Sequence, residues 1–488
     1  MIHQTAFKAA NMRSAADHSQ LQSSVLDHCD LVISIVVAVV AALVILPRLG
    51  DQSLANWDEA IYGVLTRELL SDLGLTLHYG GRPWFEKPPL AFWLMAASSS
   101  VFGLTEFALR LPSALFGIAA FVLQYLAGRR LANRTGGVLA VVLLLGVPQF
   151  IAYSRLAMTD VPLAALGMFS VVLLLYANGR SSLIMAAGAA FGLAILTKSA
   201  AAFLFLPGLL AIAIAQHGLG FFRSREIWLA PTAAIAVALP WHVCLAWMYG
   251  DSFVDQYFGL HILARFASPL EGHEGSSFYY LETYFQKAGF LAPVHAAGTA
   301  LAVSLAIVRR DRLLAAASIL ALAAFAIVSV QETKIGGYLT PVYPAAALAG
   351  ALGIARVIQK PRPLVALLAA STLLALPGIV IGRGPFAETL DLVHFSPEVR
   401  ALRNTRLFGN GRVPLLYSFG LSEPALRFYL ADDVQPIDEF ELVRLFSKKQ
   451  PFLCLTFNSE AAKFASKHPA LGFEIIVSTE SLALIGNP

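Results

Sequence analysis

The chain has 488 residues, 57% of them hydrophobic and only 14% charged, with a mean hydropathy of +0.67. Soluble globular proteins carry roughly 45–50% apolar and about 25% charged residues, so this composition places the chain in a bilayer and argues against a soluble enzyme, a disordered chain or a nucleic-acid binder. A formal net charge of +4 is what orienting loops supply, and the three cysteines, Cys29, Cys244 and Cys454, are too scattered to form a framework.

The first 30 residues are polar and mixed in charge. The apolar run from Leu31 to Leu49 follows; it is long enough to span and has no small-residue cleavage site, so it reads as a retained helix. Further runs of about 17–22 apolar residues start near Leu111, Val138, Pro162, Leu183, Ala201, Trp228, Ala288, Leu313, Tyr338 and Leu364, which makes about 11 spans. The stretch 183–215 is the tightest, because two crossings share it around Lys198 and a single re-entrant element there would shift the parity downstream. Basic clusters fall at Arg129, Arg130 and Arg134, at Arg223 and Arg225, at Arg309, Arg310 and Arg312, and at Arg356, Lys360 and Arg362. With a cytoplasmic N-terminus all of them lie inside. The loops at about 50–110, 153–161 and 250–287, the turn at Lys198 and the segment 331–337 are then extracytoplasmic. From Arg383 the charges return, and the short apolar runs 451–457 and 473–479 flank the Ala/Lys-rich helix candidate SEAAKFASKHP. This predicts a transmembrane domain over 1–382, a hinge at 382–385 (GRGP), and a small C-terminal α/β extracytoplasmic domain over 383–488.

The outer loops hold most of the residue types that do chemistry. The first begins NWDEAIYGVLTRELL, placing Asp58 and Glu59 at the start of an amphipathic helix with Tyr62, Arg67 and Glu68. A carboxylate there is also an ordinary helix cap facing water. Glu86 and Lys87 follow, locked between Trp84-Phe85 and Pro88-Pro89, a turn that would also serve as an interfacial anchor although anchoring needs no adjacent opposite charges. The second loop, RLAMTDVP, holds Asp160 just before Pro162, where it can simply begin the next helix. Paired carboxylates in a partly apolar setting suit general-base work on an acceptor hydroxyl or phosphate. The third loop carries Tyr257, His261, Arg265, His273, Glu274 and FYYLETYF, a pattern shared with interfacial girdles. QETKIGGYLTPVYP adds Lys334, Tyr338 and Tyr343, with a Gly-Gly pair that allows close backbone approach. Lys87, Arg265 and Lys334, with Lys198, form a set of cations suited to an anionic lipid headgroup or a departing phosphate.

The order DE-x-x-Y, YGGRPWFEKPPLAFWL, RLPSALFG, RLAMTD, LTKSAAAF and K-x-x-x-Y-x-x-P-x-Y-P resembles the GT-C polyprenyl-phosphate-sugar glycosyltransferases over residues 50–360. The nearest resemblance is to the bacterial lipid A aminoarabinose transferases, with the protein O-mannosyltransferases more distant. The resemblance implies a GT-C fold of about 11–13 transmembrane helices and an inverting transfer of a sugar from a polyisoprenyl monophosphate to an acceptor at the outer face of the bacterial inner membrane. It makes Asp58 and Asp160 the essential acids and Lys87 a contact to the donor phosphate. Arg265 and Tyr338 become further phosphate contacts, with Lys334, Tyr62 and Tyr343 as candidate substrate-binding residues beside them. It also offers a zinc ion near the outer loops, for which Glu86 and His273 are the candidate ligands; two ligands without a spacing pattern do not make a site, so no cofactor is expected to be required. A lipid monophosphate carries less charge than a nucleotide diphosphate, so lysine and arginine can balance it without Mg²⁺.

Three readings compete: a transferase acting on lipid A or a related envelope glycolipid, a transferase acting on a protein hydroxyl or a polysaccharide, and a transporter. A transporter predicts ionisable residues at mid-bilayer and broken helices in matched halves. Here the charges lie at helix ends and no two-fold repeat is present.

Overall fold

The computed structural model describes residues 26–220, 224–358, 363, 365–372, 416–421, 423–430, 434–448, 452–472, 474–479 and 481–487. In chain order the helices and strands are α1 (His28–Ile45), α2 (Asp58–Ser71), β1 (Leu77–Tyr79), β2 (Arg82–Trp84), α3 (Leu90–Phe102), α4 (Glu106–Leu131), α5 (Arg134–Leu145), α6 (Pro148–Ser154), α7 (Asp160–Ala177), α8 (Ser181–Lys198), α9 (Leu206–His217), α10 (Leu229–Tyr249), α11 (Tyr279–Lys287), α12 (Ala292–Arg309), α13 (Arg312–Ser329) and α14 (Val342–Val357). The C-terminal part adds β3 (Leu416–Phe419), α15 (Glu423–Leu430), β4 (Val434–Ile437), α16 (Glu439–Ser447), β5 (Phe452–Phe457), α17 (Asn458–Lys467), β6 (Glu474–Ser478) and β7 (Leu482–Asn487). The span expected from Leu364 is described only at 363 and 365–372, and the hinge expected at 382–385 lies outside the described residues.

Among the described residues eight helices are long and apolar enough to cross a membrane, or nine if the bent pair α5–α6 is one span. The protein is a multi-pass membrane protein. Its apolar side chains are exposed where a soluble protein would hide them: on α1, Leu31, Val32, Ile35, Val36, Val39 and Leu43 all face outward. Lipid tails cover such a surface at no cost, and the helices satisfy their own backbone groups.

The contacts divide the chain into two compact units. One comprises Met1–Leu46, Leu115–Ile151 and Asp160–Ile381, the other Pro47–Ala114, Ala152–Thr159 and Gly382–Pro488. The first outer loop and residues 152–159 thus group with the C-terminal residues, whereas the 250–287 loop, Lys198 and 331–337 belong to the first unit.

In the first unit the helices run back and forth between two ends. At one end, Arg129 and Arg134 bind the buried carboxylate of Asp30 at 2.9 and 3.0 Å, Arg130 donates to the Leu175 carbonyl and to Asn178, and Arg356 pairs with Asp311. This is the end at which the basic clusters were expected together. The stretch Ser181–His217 is one of the eight candidates, yet it covers the distance twice. Lys198 lies beside Asp160 at the start of α7, whereas Gln216 at the end of α9 donates to the Leu175 carbonyl at the other end of α7. The turn expected at Lys198 is therefore present. Helices close tightly through small residues: a Cβ on Gly298 of α12 would meet the Gly350 carbonyl oxygen of α14 at 2.4 Å, the kind of approach that drives packing in lipid, where apolar burial gives no advantage.

In the second unit the turn of the β1–β2 hairpin is held by Glu68, which accepts from the N–H groups of Gly80 and Gly81 at 2.7 and 3.0 Å. The C-terminal residues form a five-stranded sheet of order β4-β3-β5-β7-β6, parallel across β4-β3-β5 and antiparallel from β5 to β6. Cys454, Phe452, Leu442, Phe446 and Phe464 build its core with α16 and α17, and burial pushes the Cys454 thiol well above its usual range. The small α/β domain expected at the C-terminus is present.

Candidate functional site

In the second unit, the two adjacent acids of α2 have separate fates. Glu59 is buried and accepts from Arg110 through Nε (2.8 Å) and Nη2 (3.0 Å), and from the backbone N–H groups of Ala55 (2.7 Å) and Ala157 (2.8 Å). Arg110 spends its remaining donors on the carbonyls of Leu49, Gln52 and Ser53. A buried bidentate pair with its lone pairs and protons satisfied fixes geometry, and here it ties the residues before α2 to α4 and to the 152–159 loop.

Asp58 faces the other way. Its side chain is 49% exposed, and Lys87 Nζ lies 3.4 Å from Oδ2. Lys87 also donates to the Tyr62 hydroxyl and sits 4.6 Å from the centre of the Tyr62 ring. Phe92 packs edge-on against Tyr62 at 5.1 Å and against Trp84 at 5.7 Å. The FEKPPL turn thus delivers its lysine to the acid of the DE-x-x-Y helix. Trp57, just before Asp58, has φ +67° and ψ −119°, a conformation costing a bulky residue on the order of 1–3 kcal/mol. Arg67 and Glu68 serve other purposes, the first gripping α15 and the second the hairpin turn.

In the first unit, Asp160 begins α7 and is buried, and Lys198 at the end of α8 donates to its Oδ1 at 2.6 Å. Asp160 thus both begins the helix, as the sequence allowed, and forms a buried ion pair. Lys198 Nζ also lies 5.2 Å from the centre of the Tyr338 ring, and Arg265 Nη1 donates to the Tyr338 hydroxyl at 3.4 Å while Nη2 pairs with Glu271 at 3.0 Å. The 265–273 and 332–334 segments are zipped together: Thr333 Oγ1 donates to the Ser268 carbonyl, and the Lys334 N–H donates to the His273 carbonyl at 2.9 Å. That pairing brings Asp160, Lys198, Tyr338 and Arg265 into one polar group.

The chain reverses at Ser199, with φ +49° and ψ −131°. Its hydroxyl is 2.7 Å from that of Tyr257, which is 2.8 Å from His242 Nε2, while His242 Nδ1 is 2.9 Å from the Ala238 carbonyl. A carbonyl only accepts, so Nδ1 carries the proton in the neutral ring, Tyr257 donates to Nε2, and Ser199 donates to Tyr257. Tyr257 lies in a π-helix at 254–264, and burial raises its phenol well above the ordinary range, keeping the proton in place.

Two candidates are committed elsewhere. Lys334 is buried and turned to the carbonyls of Ser329 (2.9 Å) and Gln331, where it closes the C-terminal end of α13. Tyr343 is fully buried and donates to Gln149 at 2.7 Å, which in turn donates to the Gly336 carbonyl. Both side chains are spent on internal contacts, the first on carbonyls at and just beyond the end of α13 and the second on Gln149 and the packing around Tyr284. Glu86 and His273 fall in different units. Among the described residues no group of three or more His, Cys, Asp or Glu side chains is placed to hold a metal ion. Sequence reasoning missed the Glu59–Arg110 pair and the Ser199–Tyr257–His242 chain. The sign of the Asp160–Lys198 pair was visible only as a lysine interrupting the apolar run around residue 198.

Residues 86–244 match the family model described as dolichyl-phosphate-mannose-protein mannosyltransferase. The chain is 32% identical over 237 residues to undecaprenyl phosphate-alpha-4-amino-4-deoxy-L-arabinose arabinosyl transferase 2 of Pseudomonas fluorescens, covering 46% of this chain and 40% of that protein. It is 27% identical over 262 residues to the corresponding transferase of Serratia proteamaculans, covering 51% and 46%. The chain spans about half the length of the curated relatives it matches. Among solved structures, ArnT from Cupriavidus metallidurans bound to undecaprenyl phosphate superposes with a TM-score of 0.71 at 19% identity, over 93% of this chain and 98% of that one. The Archaeoglobus fulgidus oligosaccharyltransferase in the apo form gives 0.55 at 15%, over 92% and 69%. The chain has the GT-C fold these structures share, and the resemblance carried by FEKPPL and RLAMTD stands.

Proposed function

We propose that this GT-C chain is an inverting glycosyltransferase that moves a sugar from a polyisoprenyl, undecaprenyl-type phosphate to lipid A or a related envelope glycolipid. Catalysis takes place on the periplasmic side of the inner membrane, where the C-terminal domain also lies. The observation that carries the reading is the Asp58–Lys87–Tyr62 group: a half-exposed carboxylate held 3.4 Å from a lysine that a rigid Trp-Phe-Glu-Lys-Pro-Pro turn delivers. The acceptor hydroxyl oxygen bonds to the anomeric carbon as that carbon's bond to the phosphate oxygen breaks. The hydroxyl proton passes to Asp58, and the polyisoprenyl phosphate leaves with an added negative charge. Lys87 meets that charge. A lysine drawn to phosphate no longer shields Asp58, so donor binding and exposure of the base are one event. Tyr62 supports the ammonium through its hydroxyl and ring.

Asp160, Lys198, Tyr338 and Arg265 offer an anionic-headgroup site in their own right, and substitution there tests whether they contribute to the same reaction. No metal is required by this scheme.

The test is transfer by the purified chain in nanodiscs, with undecaprenyl-phosphate 4-amino-4-deoxy-L-arabinose as the first donor and lipid A as acceptor, read by mass spectrometry. Loss of transfer in Asp58→Asn with donor binding retained is the expected result. The family model over 86–244 favours a protein hydroxyl as the second acceptor to try, and a mass increase on protein with none on lipid A selects it.

A further inference from the structure

Helix α2 carries Asp58 in its first turn and Tyr62 one turn later, and α15 of the C-terminal domain is fastened along it. Arg67 Nη1 donates to the carbonyls of Arg427 (3.0 Å) and Phe428 (3.3 Å), groups that the end of α15 leaves unsatisfied. The Phe428 ring lies on Gly63, where a Cβ would stand 2.7 Å from Phe428 Cδ2 and 2.8 Å from Leu54 Cδ1. Only glycine lets the ring come so close. Tyr429 then joins both sides of the entry to α2: its hydroxyl donates to Glu106 at 2.6 Å and accepts from the Leu54 N–H at 2.7 Å. Burial first, and then the neighbouring Glu106 carboxylate, raise the Tyr429 phenol well above its ordinary range, so the donor is never lost near neutral pH. Arg427 covers the Tyr79 ring at 5.2 Å.

These attachments fall on Gly63 and Arg67 of the helix that carries the proposed base and on Leu54 of the segment that leads into it. We infer that α15 is a clamp that sets the position of Asp58 and Tyr62 relative to Lys87, which makes Gly63, Phe428 and Tyr429 positioning residues and the C-terminal domain part of the transfer machinery. The inference rests on the reading that Asp58 and Lys87 carry the transfer. A misplacement of about 1 Å at a reacting group can cost about a hundredfold in rate, so the clamp acts on turnover more than on donor affinity.

The experiment compares full-length Gly63→Ala, Gly63→Ala with Phe428→Leu, and Tyr429→Phe in nanodiscs, with undecaprenyl-phosphate 4-amino-4-deoxy-L-arabinose as donor. Gly63→Ala is expected to lower kcat at least tenfold with donor KM within twofold, and the added Phe428→Leu to recover at least threefold by making room for the methyl group. Tyr429→Phe is expected to lower kcat severalfold with little change in KM. Wild-type kcat in Gly63→Ala and Tyr429→Phe overturns the clamp, as does a loss that the folded fraction fully accounts for or that Phe428→Leu does not relieve. An arm independent of activity uses Asp58→Cys with Lys87→Cys and a short bifunctional thiol reagent, the 58–87 cross-link being quantified by mass spectrometry. Its yield is expected to change at least threefold when Gly63→Ala is added, and an unchanged yield overturns the clamp whatever the activity. A cross-link that responds in a chain whose wild type transfers no sugar from this donor supports the clamp and counts against the proposed donor instead.

Discussion

Replacing Lys198 by methionine removes an ammonium 2.6 Å from Asp160 while keeping most of the apolar stem. The Asp160 side chain is only 3% exposed and that of Lys198 15%, so the substitution strands a carboxylate where water does little to stabilise it. Removing one partner of a buried pair costs about 3–5 kcal/mol, whereas removing both charges is often near neutral. Lys198→Met is therefore expected to lose several kcal/mol, and Asp160→Asn with Lys198→Met to regain most of it, a coupling of at least about 2 kcal/mol. Denaturation in detergent, followed by tryptophan fluorescence and by loss of helical signal, measures the cycle. Transfer and donor binding are assayed on the same preparations. If the pair serves the reaction, the double variant folds as well as wild type and transfers no sugar. Equal stability of Lys198→Met and wild type would refute the buried-pair reasoning, and full activity in the double variant would return the pair to a structural role.

Lys87→Ala is expected to weaken both donor binding and turnover, by about 2 kcal/mol or more in transition-state terms, and Lys87→Arg to restore binding better than turnover because a planar guanidinium does not occupy the same point; single-turnover kinetics decide this. Arg110→Met leaves Glu59 buried with no cation, so it should destabilise the chain by about 3–5 kcal/mol, and Glu59→Gln with Arg110→Met should recover part of that in thermal unfolding. Cysteines introduced at Gly81 and Ile475 should react with a membrane-impermeant thiol reagent added from outside, and one at Ser182 should not. Labelling of Ser182 with protection of Gly81 inverts the topology.

Bilayer physics made the helices legible: a span must be apolar along its length, and arginine is retained at one side, so Arg129, Arg134 and Arg356 gather at one end as their clustering predicts. Lys87 was legible because adjacent prolines and aromatics fix a turn by local chemistry. The internal contacts of Lys334 and Tyr343 were not legible, for the opposite reason. What claims Lys334 is a pair of carbonyls at the end of α13, and backbone acceptors carry no residue identity. The partner of Tyr343 is Gln149, 194 residues away, and such a pairing follows from helix packing that no local pattern specifies. The grip of α15 on α2 spans about 360 residues of sequence for the same reason. Glu59 and Asp58 look alike as letters, and only the arrival of Arg110 separates the buried acid from the open one.

The reversal at Ser199 bears on how the chain is made. Helix α8 ends in a lysine that must reach the far end of the apolar layer, and the next 19 residues must return. A lone lysine or aspartate entering hydrocarbon costs about 2.5–3.5 kcal/mol on translocon scales, so partitioning α8 by itself is a poor first step. Docked against α7, the same lysine is half of a neutral couple with Asp160, so inserting α7 and α8 together avoids carrying a lone charge into hydrocarbon.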